Sequence, residues 1–152
     1  MIGDWIDKVS YPQLPAMTED ELDAFLEEAQ FARLGTLNED GSIHIAPIFF
    51  RYEDGKILMA TQCPSRKTRN IKRNPHVTVL IDKTEVPFKG ALIYGVAELD
   101  YEDVIGKRMR IFEKRLNNED ARTYATRLSA KWRCVIIRIT PTRIASFDYA
   151  KG

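Results

Sequence analysis

The feature that most restricts the fold is a long run of period-two patterning broken only by tight-turn residues. Apolar and polar side chains alternate over 31–37, 42–52 and 56–61, and the breaks between them are Asn38-Glu39-Asp40-Gly41 and Glu53-Asp54-Gly55. Alternation marks half-buried strands, and short breaks rich in Asn, Asp and Gly mark hairpins. Two hairpins in succession are expected. Stretches 77–82 and 91–99 make a third, joined through Pro87 and Gly90, and 132–140 with 143–148 return to strand composition around Pro141. Antiparallel strands this short and this numerous must close on themselves or stack to avoid exposed edges. A barrel is the expected outcome.

Helical spacing interrupts this pattern in three places. Thr18 and Glu21 stand three apart ahead of Leu22, Phe25, Leu26 and Ala29, a capping box followed by one apolar face, so a helix is expected over 19–29. Ser65 can cap a short basic helix over 65–73 that places Ile71 inward and stops at Asn74-Pro75. Residues 101–131 carry Val104, Met109, Ile111, Phe112, Leu116, Tyr124 and Leu128 among many cations, with Asn117-Asn118 as a break, and two helical pieces fit there. No repeat or linker divides the chain. Residues 1–16 form an irregular arm, 17–148 one domain, and 149–152 a tail.

Several functional classes drop out. Lys plus Arg number 23 against 22 acidic residues, a net charge of +1, so nothing global attracts a nucleic acid or a membrane. Cys63 and Cys134 make no CxxC pair, and with only His44 and His76 beside them no metal constellation is expected. No two of the eight glycines stand two apart, which excludes a G-x-G-x-x-G loop; Gly90 and Gly95 have P-loop spacing, but Val96 takes the lysine's place. No serine sits in a G-x-S-x-G elbow. The first residues include Asp4 and Asp7 where a secretory leader would be apolar, and no apolar run approaches the ~18 residues of a membrane span, so a cytoplasmic protein is expected.

One positive signal survives. After the strand ending at Ala60-Thr61, the residues Ser65, Arg66 and Lys67 occupy the first turn of a helix. Free amides at such a terminus, aligned with the helix dipole and joined by hydroxyls and cations, suit a phosphate monoester. A solvated basic helix is the alternative reading, and Arg69, Lys72 and Arg73 fit it.

The string Ser-Arg-Lys-x-x-x-Ile-x-x-Asn-Pro over 65–75, after Ala60-Thr61, resembles the pyridoxamine 5′-phosphate oxidase superfamily of FMN-binding split barrels. The likeness extends through 32–36, the Asp40-Gly41 turn, 44–49 and Gly95-Val96-Ala97-Glu98, covering roughly 18–148. It implies a mainly β fold with α: an antiparallel six-stranded split β-barrel of Greek-key type, with an N-terminal helix, a short helix after strand 3 and a helical insertion before the last strands. It also implies that Thr61, Arg66 and Lys67, aided by Ser65 and beside Ala60, hold the FMN phosphate. The backbone of Ala46, Pro47 and Ile48 then lies along the isoalloxazine ring. A homodimer follows, with Trp132, and with it Arg133 and Arg138, reaching the ring from the second subunit.

The strand 42–50 offers only His44 as a basic group, no arginine follows Phe147, and Lys89-Gly90 stands near the place of a ring-contacting glutamine. The chain therefore resembles a diverged branch, which includes flavin- and deazaflavin-dependent reductases, more than the vitamin B6 oxidases themselves. The expected activity is an FMN-dependent oxidoreductase of a small organic molecule, with His44 or Arg133 as polar anchors. Deazaflavin is the alternative cofactor. The alternative function is a non-catalytic flavin, deazaflavin or haem binder on the same barrel.

Overall fold

A computed structural model of the chain describes residues 16–29, 31–113, 119, 120, 122, 123, 127 and 133–151. Six antiparallel strands close into a barrel: β1 (Phe31–Leu37), β2 (Ile43–Glu53), β3 (Lys56–Gln62), β4 (His76–Lys83), β5 (Lys89–Asp100) and β6 (Cys134–Asp148). Their order around the barrel is β1-β2-β3-β6-β5-β4. Alternation does the sorting. Leu34, Phe50, Ile57, Met59, Val79, Ile81, Ile93, Ile137 and Ile139 are fully buried and fill the interior.

Helix α1 (Glu19–Glu28) starts at the expected capping box, with the Thr18 hydroxyl accepting from the Glu21 amide at 3.2 Å and Glu21 accepting from the Thr18 amide at 2.9 Å. Its buried face, Leu22, Phe25 and Leu26, joins the barrel core. Tyr52 on β2 ties the helix down by donating to Asp23 at 2.9 Å; burial and that carboxylate raise the phenol's pKa. Lys151 bonds Glu21 at 2.6 Å, and that contact together with the Thr18 hydrogen bonds lowers the Glu21 pKa to about 2.

Helix α2 (Arg66–Arg73) follows β3, and α3 (Val104–Glu113) follows β5. The latter lays Ile111 and Phe112 over the outer faces of β3 and β6, where they meet Leu58 and Ile136. It is the first of the two helical pieces expected over 101–131; most of the second, residues 1–15 of the expected arm over 1–16, and Trp132 lie outside the described residues.

The closing segment, where sequence left one or two strands open around Pro141, is a single strand of 15 residues, 134–148. Opposite Pro141 the register shifts between Tyr94 and Gly95, so that Tyr94 pairs with Arg143 and Gly95 with Pro141. Thr142 becomes the extra residue and donates its hydroxyl to the Tyr94 carbonyl at 3.2 Å. A bulge is where a strand tolerates a proline, so the strand bends without breaking.

Candidate functional site

The barrel is split along one seam. β2 pairs with β3 only from Phe50↔Met59 to Glu53↔Lys56. Beyond that point β2 runs beside β1, from Phe31↔Phe49 to Leu37↔Ile43, and the end of β3 runs beside β6, from Ala60↔Ile136 to Gln62↔Cys134. The two strands part, so the stretch of β2 holding Ala46, Pro47 and Ile48 has a ladder on the β1 side alone. Pro47, which has no N–H to give, sits where one flank of the strand needs no partner.

Where β3 ends, the chain turns through Cys63 and Pro64 into α2. Ser65 caps that helix: its hydroxyl accepts from the Thr68 amide at 3.3 Å, and the Thr68 hydroxyl accepts from the Ser65 amide at 2.8 Å. This box satisfies the third amide of the turn, and the Arg69 amide already reaches the Ser65 carbonyl at 3.0 Å. Among the described residues, the amides of Arg66 and Lys67 donate to no protein acceptor. No acid stands in the first turn to meet the positive end of the dipole.

Side-chain electrostatics add to this. Lys67 is half-buried, and desolvation alone lowers its pKa from the usual 10.5. Arg66 is exposed near the β1–β2 turn, where its charge contributes to lowering the Asp40 pKa; the larger causes are hydrogen bonds from the Ser42 hydroxyl and amide. Thr61, the last inward-facing residue of β3, is buried, and Ala60 beside it packs against the cluster under α3.

The corner is held rigidly. Asn70, buried on α2, donates to the Thr36 hydroxyl at 3.0 Å and to the Asn38 side-chain oxygen at 2.8 Å. Arg73 donates to the Leu37 carbonyl and, at 3.2 Å, to Asn70. Asn70 was not singled out from sequence, although it stands on the same helix face as Ile71 and Lys67, and a lone amide there is the signal for a structural tie. On the outer side of the seam, Phe49 meets Phe112 edge to face at 5.7 Å.

In the structure Ala60 and Thr61 lie on β3 just past its parting from β2, and Ser65, Arg66 and Lys67 follow as the cap and first turn of α2. His44, half-buried, pairs with Thr36 on β1. The Arg133 carbonyl accepts from the Cys63 amide at 2.7 Å, which fastens the turn to the start of β6. Arg138 is committed elsewhere, to Asp100 at 2.5 Å and Glu98 at 3.4 Å, and Lys107 joins it on Asp100 at 2.7 Å.

On the outer face of the barrel lies an apolar groove of about 490 Å³ whose lining includes Leu37, Ile43, Ile45, Leu80 and Leu92. Ile43 and Ile45 are 67% and 64% exposed, far more than is usual for β-branched residues in a strand. Among the described residues no helix is long and apolar enough to cross a membrane.

Comparison with known proteins agrees with this geometry. A crystal structure of a conserved hypothetical protein, Rv2991, from Mycobacterium tuberculosis superposes with a TM-score of 0.80 at 23% identity, covering 95% of this chain and 92% of that one. A putative pyridoxamine 5′-phosphate oxidase from Listeria innocua gives 0.63 at 26% identity, covering 84% and 96%. An F420 reductase gives 0.64 at 20% identity, covering 80% and 94%. No curated protein matches. The family model for pyridoxamine 5′-phosphate oxidase matches residues 18–147, the whole barrel with its seam and its α2 corner, and the chain belongs to that family.

Proposed function

We propose that the protein binds FMN and serves as an oxidoreductase of a small organic molecule, assembled as a homodimer. The carrying observation is the α2 corner, which follows the opened strand ladder: among the described residues, two unclaimed amides, an acid-free helix start and a half-buried lysine without a counter-charge. A phosphate dianion fits this set, because it supplies the charge that Lys67 lacks and the acceptors that the Arg66 and Lys67 amides need.

Thr61 and the Arg66 and Lys67 side chains would hold the phosphate, with Ser65 keeping the turn in shape. The free edge of β2 at Ala46, Pro47 and Ile48 would supply main-chain contacts along the ring. Bound flavin supplies hydride or electron transfer; the chain's task is to orient the ring, exclude water and position the substrate. Family membership and the likeness to the putative oxidase and to the F420 reductase support this reading. F420 is a deazaflavin whose chain also carries a phosphate, so the reductase favours deazaflavin as the second cofactor candidate.

The apolar groove around Ile43 and Ile45 supports the dimer. Both residues lie on β2, the same strand that carries Ala46, Pro47 and Ile48, so a second copy seated there would also border the seam.

Purified protein should be yellow, with a band near ~450 nm, or should take up added FMN, and NAD(P)H or a reduced deazaflavin should cycle it. Failure to retain FMN or deazaflavin overturns the flavoprotein reading. A retained flavin that no donor can cycle overturns the oxidoreductase reading alone.

A further inference from the structure

At the barrel end that carries the Lys83, Lys89 and Asp148 strand termini, three observations converge. The β4–β5 connection leaves Val86 80% and Phe88 46% exposed, and Tyr149, directly after β6, is 47% exposed. Phe88, Phe147 and Tyr149 form one built surface. The Tyr149 amide donates to the Phe88 carbonyl at 2.9 Å, the two rings meet edge to face at 6.2 Å, and Phe147 meets Tyr149 at 5.9 Å. A rigid aromatic corner therefore faces solvent, and its ordering cost is already met.

The chain enters the described structure at this same end. The Ala16 carbonyl accepts from Lys151 at 3.0 Å, two residues beyond Tyr149, and the Met17 amide donates to the Ser146 hydroxyl at 3.0 Å. Upstream, residues 1–15 carry Ile2, Trp5, Ile6, Val9, Tyr11 and Leu14 against three charged side chains, Asp4, Asp7 and Lys8. That is not the composition of a solvated tail.

We propose that the N-terminal arm, residues 1–15, docks its apolar side chains on the Val86, Phe88 and Tyr149 corner of its own chain. Reach favours this site. Pro12 and Pro15 bias Tyr11 and Leu14 toward extended backbone, and at about 3.3 Å per residue both lie within ~17 Å of Ala16. The Ile43 and Ile45 groove, by contrast, lies across β1, β2 and β4 and extends to Leu37 and His76, and none of its lining residues belongs to the corner.

Trypsin supplies the test, because Lys8 is its only target before Arg33. Release of residues 1–8 from the full chain would be followed by mass spectrometry, with a synthetic peptide of residues 1–15 as the undocked reference. Cleavage is expected to be at least ~10-fold slower in the chain than in the peptide, and to return to near the peptide rate in Phe88→Ser/Tyr149→Ser. The thermal melt of that variant should match wild type, which separates lost docking from lost folding. The proposal is overturned by full-chain cleavage as fast as the peptide, by protection that survives in Phe88→Ser/Tyr149→Ser, or by protection abolished by Ile43→Ser/Ile45→Ser instead. Protection that fades on dilution would assign the arm to a second copy and overturn it as well.

Discussion

The buried amide of Asn70 donates to the buried hydroxyl of Thr36 at 3.0 Å, so the helix bearing Arg66 and Lys67 is fastened to β1 by a polar bond inside the protein. Asn70→Ala removes that bond and the one to Asn38, and it leaves Thr36 without its donor. A loss of about 2 kcal/mol of stability is expected by urea unfolding. Thr36→Val should cost less, and the double variant should fall short of the sum, because the two residues share one interaction.

In the proposed FMN site, Arg66→Ala and Lys67→Ala would each delete one charged contact to the phosphate. Each should weaken FMN binding by about 1.5–3 kcal/mol, roughly 10- to 150-fold in Kd, in a fluorescence titration. Riboflavin has the ring but no phosphate and should bind both variants as it binds wild type. An equal loss for riboflavin would move the phosphate contact away from α2.

Burial lowers the pKa of Lys67 below 10.5, so the free fold is penalised for keeping that ammonium charged at neutral pH. The penalty fades as pH rises through the lowered pKa, and the free protein gains stability over that window. Phosphate binding has the opposite requirement, since it needs the charged form. FMN affinity should be full below the lowered pKa and decline as pH climbs past it, ahead of 10.5, with riboflavin as the control. Lys67→Arg should abolish the decline, because a guanidinium stays protonated over the whole range.

Ile45→Asp places a carboxylate in the middle of the apolar groove. In the proposed homodimer that charge would be buried without a partner, so sedimentation should show a monomer, and retained flavin should fall with it. A dimer that persists in Ile45→Asp would place the interface elsewhere.

Gly95 faces the bulge at Pro141. A Cβ there would stand 2.7 Å from the Thr140 carbonyl oxygen and 2.7 Å from the Ile139 methyl. Gly95→Ala should therefore destabilise the barrel by about 2–4 kcal/mol, read from the urea midpoint, since backbone cannot step aside as a flexible side chain can. Gly41→Ala tests a different cost. Nothing lies near its Cβ, but its φ is +90°, and about 1 kcal/mol is expected.

Period-two patterning placed all six strands, because alternation and turn chemistry are local, and the Thr18 and Ser65 caps were equally legible. Whether the closing segment made one strand or two was left open. Pro141 reads locally as a break, and only pairing with Tyr94 and Gly95, more than forty residues away, turns it into a bulge. The α2 corner was visible as a cluster of residue types in sequence. Its rigidity was hidden, since Asn70 reaches Thr36 and Asn38 across more than thirty positions. Arg138 illustrates the same limit: its commitment to Asp100 and Glu98 depends on the β5–β6 register.

The parting of β2 from β3 makes main chain, with no particular set of side groups, the surface offered along that edge. Apart from Pro47, which has no N–H, and Ile48, which is buried in the core, side chains over 44–49 can therefore change while the pattern of peptide donors and acceptors persists. What would erase that pattern is a change in the trace itself, such as an inserted residue or a second proline.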